Sequence, residues 1–203
     1  MRGVDQIPWL YDAFLAVFEW SGLDAWRRWL AEGARGRVLD VGCGTGRNLP
    51  RFPPGTRVVG VDPHPQNLRA ARRRAPGVPL VQARAEALPF REGTFDTVVS
   101  GLVFCSVDDP PAALAEVRRL LAPGGALRML EHVRSRHPAR ARLQDWVQPA
   151  WTFVAGGCRP NRDTERAVAE AGFAIEEDGR RTRDEMRRFQ ARPLPPPGPG
   201  RRG

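Results

Sequence analysis

The 203-residue sequence has no lysine, only three cysteines, and no apolar run near the roughly 20 residues that a membrane-spanning helix needs. Cys43, Cys105 and Cys158 are widely spaced and form no CxxC pair, so we predict reduced thiols and no metal site. The first residues lack the basic and apolar regions of a signal peptide. We therefore expect a single cytoplasmic domain, either a monomer or a homodimer.

All 32 basic residues are arginine, and the net charge is +9. Eight of these arginines follow residue 179, against Asp184 and Glu185, so this stretch carries +6 of the total. We interpret the excess charge as a basic tail that reflects compositional bias, and we expect no nucleic-acid partner. A nucleic-acid-associated protein that binds through this tail is the alternative from another functional class.

Two terminal segments flank a central domain. Apolar and aromatic residues recur at helical spacing over residues 7–32, with a break at Ser21-Gly22, so residues 1–33 are predicted to be helical. These helices either close a pocket as a lid or pack on the core. Residues 193–203 are rich in proline, glycine and arginine and are predicted to be disordered. Residues 34–192 then form the folded domain.

Strands and helices alternate along the central domain. Strands are predicted at 37–41, 57–61, 79–82, 95–100, 126–130, 173–177 and 186–192. Helices are predicted from near Thr45 and at 66–74, 112–121 and 161–171, the third capped by Asp109. Residues 146–162 read as an aromatic insertion. This alternation predicts a doubly wound, mostly parallel α/β sheet with helices on both faces.

The most informative motif is the run from Asp40 to Gly46, in which a strand leads into glycines at positions 42, 44 and 46. Glycine permits positive φ and lets a ligand lie against the backbone, and a following helix would direct free amides at that ligand. The spacing is GxGxG, and an acid two residues before the first glycine suits an ammonium group better than a pyrophosphate. Asp62 ends the second strand, where a carboxylate can accept bonds from both ribose hydroxyls.

In order and spacing, these motifs, with 85–90, 95–96 and 121–125, resemble the class I, Rossmann-like S-adenosylmethionine-dependent methyltransferases of the type 11 group. The resemblance implies a seven-stranded sheet with an antiparallel last strand, and S-adenosyl-L-methionine as cofactor. Arg84 stands where many relatives carry an acid that bonds adenine, so backbone contacts are expected instead. The implied cofactor-binding residues are Asp40, Gly42, Cys43, Gly44, Gly46, Asn48, Asp62, Pro63, Ala85, Glu86, Ser100, Gly101 and Leu102.

A narrower resemblance covers about residues 36–175 and includes 44–50, 102–107, 130–133, 148–151 and 156–158. These segments are similar to bacterial relatives of animal methyltransferase-like proteins that methylate alkyl thiols. The animal proteins carry an N-terminal membrane anchor that this sequence does not resemble. The resemblance implies methyl transfer to a small molecule, with thiol sulfur as the leading acceptor. Quinone carbon and other oxygen or nitrogen acceptors are the alternatives.

The acceptor side is predicted at the carboxyl ends of the fourth and fifth strands. His132 is the candidate general base, and Glu131 would orient it or bind the amino group of the cofactor. A base or a nearby cation would help a thiol acceptor, because a pKa near ~8.5 leaves a thiol mostly protonated at neutral pH. The candidate substrate-binding residues are Tyr11, Trp151, Cys158 and Arg162.

Overall fold

Short runs of buried β-branched and aliphatic residues, separated by amphipathic helices, build a mixed sheet in a computed structural model that describes residues 23–154, 157–183 and 185–195. The strands are β1 Arg37–Val41, β2 Arg57–Asp62, β3 Leu80–Gln82, β4 Phe95–Gly101, β5 Leu121–His132, β6 Phe173–Arg183 and β7 Met186–Pro193. The helices are α1 Asp24–Glu32, α2 Pro65–Arg74, α3 Pro110–Leu120, α4 Pro138–Val154 and α5 Thr164–Glu170, with a short 3-10 helix at Leu49–Arg51.

The seven strands lie in the order β3-β2-β1-β4-β5-β7-β6. β1 pairs in parallel with β2 and β4, and β4 pairs in parallel with β5. β7 is antiparallel to both of its neighbours, β5 and β6. The predicted doubly wound, mostly parallel sheet with an antiparallel last strand is therefore confirmed. The strand order reverses between β1 and β4, and in such sheets ligands bind outside the carboxyl ends of the strands at this switch point.

Alternate residues of each strand face opposite layers of helices. Leu39 of β1 lies in one cluster with Leu114 of α3, whereas the adjacent Val38 lies in another with Leu30 of α1. All four side chains are fully buried. Burying an aliphatic side chain of this size contributes about 1.5–3 kcal/mol. The sheet is thus a rigid frame that fixes where its carboxyl-terminal loops lie.

Arg128 of β5 holds the end of α1 against the sheet. Its Nε donates to the Leu30 carbonyl oxygen at 3.0 Å, and a second nitrogen donates to the carbonyl of Trp29. The guanidinium carbon lies 4.1 Å from the centroid of the Trp29 ring. A cation at a helix C-terminus satisfies carbonyls that have no partner within the helix and complements the helix dipole. α1 is therefore part of the packed domain.

Two predicted helix starts are wrong. No α-helix begins near Thr45; the described chain turns there and forms only the 3-10 helix. Gly46 has φ +81°, a left-handed conformation that is incompatible with a right-handed helix. The helix predicted from residue 161 begins at Thr164, because the Asp163 side chain caps it by accepting a hydrogen bond from the Arg166 amide at 3.1 Å. The predicted Asp109 cap of α3 is confirmed by a 3.1 Å bond from the Ala112 amide.

The segment predicted as an aromatic insertion at 146–162 begins as a helix. Its first nine residues belong to α4, which accommodates Pro149 in its interior. Proline lacks a backbone N–H and normally breaks a helix, so α4 tolerates one missing hydrogen bond at Pro149. Beyond α4, Gly157 has φ +97° and its amide bonds back to the Thr152 carbonyl at 2.8 Å. This reversal returns the chain toward the carboxyl ends of β4 and β5.

The interpretation of the excess charge as a tail is also wrong. Six of the eight arginines beyond residue 179 lie in β6 and β7, where Arg180 bonds Glu165 at 2.9 Å and Arg192 bonds Glu176 at 2.5 Å. β7 also extends to Pro193, inside the predicted tail. The Leu194 amide bonds the Gly172 carbonyl at 2.8 Å. These charges therefore belong to the folded sheet.

Part of the predicted terminal segments lies outside the described residues, namely 1–22, with the candidate Tyr11, and 196–203. Within the described ranges, none of the helices combines the length and the apolar character that crossing a membrane demands.

Candidate active site

The loop after β1 holds its three glycines in left-handed conformations. The φ angles are +62° at Gly42, +55° at Gly44 and +81° at Gly46. A Cβ at Gly42 would lie 2.5 Å from a Val103 methyl carbon, so this position must be glycine. A Cβ at Gly44 would point into open space, where the nearest described atom beyond its chain neighbours is the Gly42 carbonyl oxygen at 4.0 Å. The backbone at Gly44 is thus bare, and a ligand can lie against it.

Asp40, near the end of β1, is a buried carboxylate with one long hydrogen bond among the described residues. Its side chain is 0% exposed. Oδ1 accepts a long bond of 3.5 Å from the Asn48 side chain, and Oδ2 has no hydrogen-bond partner among the described residues. Burial raises the pKa of Asp40 to about 7, against the lowering effects of Asn48 and Arg27. An oxygen of this kind fits a ligand ammonium group, which is what the resemblance implies.

Asp62, at the end of β2, organises the glycine loop. Oδ2 accepts from the Gly44 amide at 3.0 Å, and Oδ1 accepts from the His64 amide at 2.9 Å and the Asn67 side chain at 3.2 Å. Burial raises the pKa of Asp62, and these bonds partly offset the rise. A carboxylate has about four acceptor sites, so three donors leave about one. The three described donors therefore leave Asp62 about one acceptor site for a ligand.

Cys43 and Pro63 flank the same loop and contribute backbone rather than side-chain chemistry. The Cys43 side chain packs in a buried cluster with Ala71 of α2, and burial raises the pKa of its thiol. Its amide bonds the Val61 carbonyl at 2.8 Å, which ties the loop to β2. The Pro63 carbonyl accepts from the Gln82 side chain at 3.1 Å.

On the side where the resemblance implies adenine, Glu86 faces the start of α3. Its Oε1 accepts from the amides of Asp108 at 3.2 Å and Asp109 at 3.3 Å. Arg84 bonds Asp108 at 2.6 Å and Glu86 at 3.2 Å. Arg84 is therefore bound to two carboxylates, and the adjacent Ala85, which is buried, is left to offer its backbone.

Glu131, at the end of β5, anchors the loop that follows β4. It is 0% exposed. Its carboxylate accepts from the Ser100 hydroxyl at 2.9 Å and from the amides of Val103 at 3.1 Å and Phe104 at 3.2 Å. Burial raises the pKa of Glu131 to about 7. Because these donors surround its oxygens, Glu131 holds the loop after β4 in place.

The anchored loop is backbone-strained at Leu102, which has φ +63° although it is not glycine. Its amide bonds the Leu130 carbonyl at 2.7 Å, which fixes the conformation. The preceding residue, Gly101, lies in a crowded place. A Cβ there would lie 3.1 Å from Leu30 and 3.2 Å from the side-chain amide nitrogen of Asn48, so a larger residue would press on the site. The predicted residues Ser100, Gly101 and Leu102 thus converge with Asp40 and Asn48 at the switch point.

The sequence analysis missed Arg27, a buried residue of α1. Its guanidinium donates to the Asn48 side-chain oxygen at 3.1 Å, and Asn48 in turn donates to Asp40. A Cβ at Gly101 would be 3.9 Å from the same guanidinium nitrogen. Arg27 lies on the same helical face as the buried Leu30 and Ala31. This spacing was the signal in the sequence that could have indicated a buried arginine. α1 therefore places a cation beside the predicted cofactor site.

On the acceptor side, Cys105, His132 and Cys158 come together from three segments. Their potential ligand atoms, two sulfurs and an imidazole nitrogen, all lie within 4.8 Å of one another. The hydrogen bond from the Cys105 thiol, with contributions from His132 and Trp151, lowers the pKa of Cys158, whereas that same bond and burial raise the pKa of Cys105. The prediction of no metal site rested on wide sequence spacing, and the fold removes that argument.

Arg162 is bonded to backbone carbonyls of the loop after β4. Its guanidinium donates to the Phe104 and Val107 carbonyls, both at 2.6 Å, and so ties the segment after α4 to the loop after β4. Trp151 is half-buried beside Cys158, whereas Trp146 is 81% exposed. A depression of about 480 Å³ between α3 and α5 contains none of the predicted site residues.

Known proteins resemble the chain at the level of sequence. Residues 39–129 match a family described as a methyltransferase domain. Thiol S-methyltransferase TMT1B of Homo sapiens is 38% identical over 152 residues, which are 70% of this chain and 62% of that protein. Demethylmenaquinone methyltransferase of Renibacterium salmoninarum is 33% identical over 82% of this chain and 73% of that protein. The chain spans about three fifths of the length of the thiol methyltransferases that it matches.

Solved structures share the fold. A S-adenosylmethionine-dependent methyltransferase of Methanosarcina mazei has a TM-score of 0.63 at 23% identity, covering 78% of this chain and 92% of its own. The [4+2]-cyclase SpnF has a TM-score of 0.61 at 25% identity, covering 76% and 57%. The cyclase shows that a fold does not fix a reaction. The strand order, the glycine loop with its buried acid and these relatives together establish that the chain belongs to the class I S-adenosylmethionine-dependent methyltransferases.

Proposed function

We propose that the protein transfers the methyl group of S-adenosyl-L-methionine to a small-molecule acceptor, and that the acceptor atom is a thiol sulfur. Two observations carry the cofactor part. Oδ2 of Asp40 is buried and has no hydrogen-bond partner among the residues that the structure describes, and the backbone of Gly44 in the same loop motif is bare. A buried anion without a cation or donor is costly, so the site favours a ligand that brings a positive charge.

Each residue at the switch point would bind a different part of the cofactor. Asp40 would hold its ammonium group, and Arg27, linked to Asp40 through Asn48, would hold its carboxylate. Asp62 has about one acceptor site left for a ribose hydroxyl. Ala85 would offer backbone to the adenine, because the neighbouring Arg84 and Glu86 side chains bond each other and the start of α3.

The bound cofactor supplies an activated methyl group, and the task of the protein is alignment and exclusion of water. Glu131 fixes the loop after β4 through the Val103 and Phe104 amides, and Arg162 fixes it from the other side through the Phe104 carbonyl. Cys105 follows directly on that loop. The loop therefore positions both the cofactor side and the acceptor side of the crevice.

The thiol acceptor is supported by the similarity to thiol S-methyltransferase TMT1B of Homo sapiens and Rattus norvegicus, which are 38% and 35% identical to this chain. A quinone-type carbon acceptor is the second candidate. It is supported by the demethylmenaquinone methyltransferases, of which the Renibacterium salmoninarum protein covers 82% of this chain. A thiol acceptor needs only deprotonation of its sulfur before attack, and this requirement distinguishes it from a carbon acceptor.

Transfer of labelled methyl from S-adenosylmethionine to a panel of alkyl and aryl thiols tests the proposal, with naphthoquinols as the competing panel. Binding of S-adenosylhomocysteine, measured by calorimetry, shows that the protein is competent. Labelled thioether is the expected product. Labelled quinol without thioether would replace the thiol by the second candidate. Failure to bind S-adenosylhomocysteine would overturn the cofactor assignment.

A further inference from the structure

Three chemically reactive side chains meet at the carboxyl ends of β4 and β5. We propose that Cys105, His132 and Cys158 bind one Zn²⁺ ion, and that the fourth coordination position of this ion takes the thiol acceptor. The inference deepens the proposed function and rests on it for the identity of the acceptor. The metal site itself rests on the geometry of the three side chains alone.

The distances fit zinc. With Zn–S near 2.3 Å and Zn–N near 2.0–2.1 Å, a tetrahedral ion places its ligand atoms about 3.6–3.8 Å apart. The two sulfurs and the imidazole nitrogen already lie within 4.8 Å of one another. Binding therefore needs a contraction of about 1 Å at most, which side-chain rotation can supply. Thiolate and imidazole ligands select zinc over magnesium or calcium, which prefer oxygen.

The backbones that carry the three ligands are bonded together independently of any ion. The Arg159 amide donates to the Cys105 carbonyl at 2.8 Å, which joins the segments of the two cysteines. The Arg134 amide donates to the Arg162 carbonyl at 2.9 Å, which joins the segment after His132 to the segment after Cys158. The Thr152 hydroxyl donates to the Cys158 carbonyl at 3.0 Å. Such prior organisation is what a site needs to select a metal geometry.

Three protein ligands leave one position open. Within residues 23–154, 157–183 and 185–195, no further histidine, cysteine or carboxylate belongs to the group. Glu131, the nearest acid in sequence, is occupied by the Ser100 hydroxyl and two backbone amides. Closed four-ligand sites are structural, whereas three ligands of the Cys₂His type with an open position are typical of catalytic zinc. An ion held by these three side chains would lie beside the loop after β4, of which Cys105 is a part.

Zinc at this position would activate a thiol. A thiol that coordinates Zn²⁺ is deprotonated, so the acceptor would lose its S–H proton to solvent on binding. A sulfur lone pair would then form the new carbon–sulfur bond. The bond from the methyl carbon to the sulfonium sulfur breaks, and its electron pair stays on that sulfur. The thioether product is neutral and a weaker ligand than a thiolate, so it would leave the ion.

The first test is metal content. The full-length protein is purified in the presence of zinc, dialysed, and analysed by elemental mass spectrometry, with S-adenosylhomocysteine binding as the test of folding. We expect one zinc per chain, and loss of most of it in Cys105→Ser, Cys158→Ser and His132→Gln. The exposed His137→Gln is a matched control that should keep the metal. Wild-type protein that binds S-adenosylhomocysteine but no zinc, or that carries a Cys105–Cys158 disulfide instead, would overturn the site and leave the proposed function standing.

The second test concerns the open position. Replacement of zinc by Co²⁺ gives a visible absorption spectrum that reports the ligands. Addition of an alkyl thiol in the absence of S-adenosylmethionine should add a sulfur-to-cobalt charge-transfer band, and the corresponding alcohol should not. A cobalt spectrum that the thiol leaves unchanged would show a structural metal and overturn the activation role. This readout does not depend on methyl transfer, so its failure differs from failure of the proposed reaction.

Discussion

Asp40 combines two properties that conflict in the ligand-free protein. It is fully buried, yet it has one long hydrogen bond from Asn48 and none to Oδ2 among the described residues. The pKa of Asp40, raised by burial to about 7, means that the folded protein retains a proton that the unfolded chain releases near its ordinary pKa of 3.8. The contribution of Asp40 to the free energy of unfolding therefore falls as pH rises between these two values and is lowest above about pH 7.

We predict that Asp40→Asn has opposite effects on stability and on binding. The substitution should raise the free energy of unfolding of the ligand-free protein at pH 8 by up to about 4 kcal/mol, and by much less at pH 4. It should weaken S-adenosylhomocysteine binding at least tenfold, because the ammonium group loses its anion. Urea denaturation and calorimetry measure the two effects.

The control for this prediction is Asp178→Asn, which changes an exposed carboxylate. It should leave both quantities close to wild type. An Asp40→Asn protein that is destabilised at pH 8 and binds the ligand normally would contradict the account of Asp40 as an ammonium partner.

Gly44 is predicted to be needed for the ligand rather than for the fold. Gly44→Ala and Gly55→Ala both place alanine at a left-handed position, with φ +55° and +86°, where the Cβ meets open space. Each should lose about 1–2 kcal/mol of stability through backbone strain. Only Gly44→Ala should weaken S-adenosylhomocysteine binding, because its methyl group occupies the bare backbone surface. Equal affinities of the two variants would remove Gly44 from the site.

For single residues, the sequence predicted those parts of the site whose residues lie close together in the chain. Asp40 and the glycines at 42, 44 and 46 lie within seven positions, so their spacing carries the geometry of the loop. Cys105, His132 and Cys158 are each separated by more than twenty residues, and only the folded sheet brings them together. The roles of Glu131 and Arg162 as loop anchors were likewise invisible, because their partners are backbone groups.

Among the elements, α1 couples packing to the cofactor site. One of its ends is held by Arg128 through the Trp29 and Leu30 carbonyls, and its buried Arg27 reaches Asn48. Gly33, which follows α1, allows this arrangement, because a Cβ there would lie 2.2 Å from the Arg128 guanidinium carbon. A displaced Arg128 would release the helix end and shift Arg27.

We predict that Gly33→Ala destabilises the protein by about 1–3 kcal/mol, the range for a buried contact that must move. Gly77→Ala is the control, since its Cβ would meet nothing within 4 Å, and it should be neutral or slightly stabilising. Thermal unfolding measures the difference. S-adenosylhomocysteine affinity should also fall in Gly33→Ala. Destabilisation with unchanged affinity would mean that α1 packs on the domain without positioning Arg27.

The periodicity of the sequence predicted most elements. β1 has the predicted bounds, and β2 and β4 differ by one residue, because buried β-branched runs leave little choice. α4 was missed because residues 146–162 were interpreted as an aromatic insertion. The helix expected at Thr45 fails because Gly46 is left-handed. Local propensity cannot show where the tertiary structure overrides the preference of a single residue for or against a helix.

For the whole molecule, the last two strands, β6 and β7, contribute more to the sheet and its core than their arginine-rich composition suggested. β7 lies between β5 and β6 and pairs Glu131 with Arg187 and His132 with Met186. Phe189 and Ala191 of β7 are fully buried in the main core. The antiparallel direction of β7 was implied by the family resemblance and not by the hydrophobic pattern, since strand direction leaves no local signal.

We predict that a chain ending after Arg183 does not fold, because β5 loses its neighbour β7 and the core loses Phe189. It should show no cooperative thermal transition and no S-adenosylhomocysteine binding. A chain ending after Pro195 keeps the bonds of Leu194 to Gly172 and Arg118 and should match the full chain in both measurements. Binding by the shorter chain would show that β7 is dispensable.

The position of β7 also has a consequence for how the protein is made. Residues 186–193 leave the ribosome after every other strand of the sheet, yet they fill a gap in its interior. Until then the edge of β5 that carries Glu131 and His132 has no neighbour. The nascent chain therefore cannot assemble its acceptor side early, and activity should arise in one step when synthesis of the domain is finished. Premature termination or proteolytic loss of this strand would leave no half-active product.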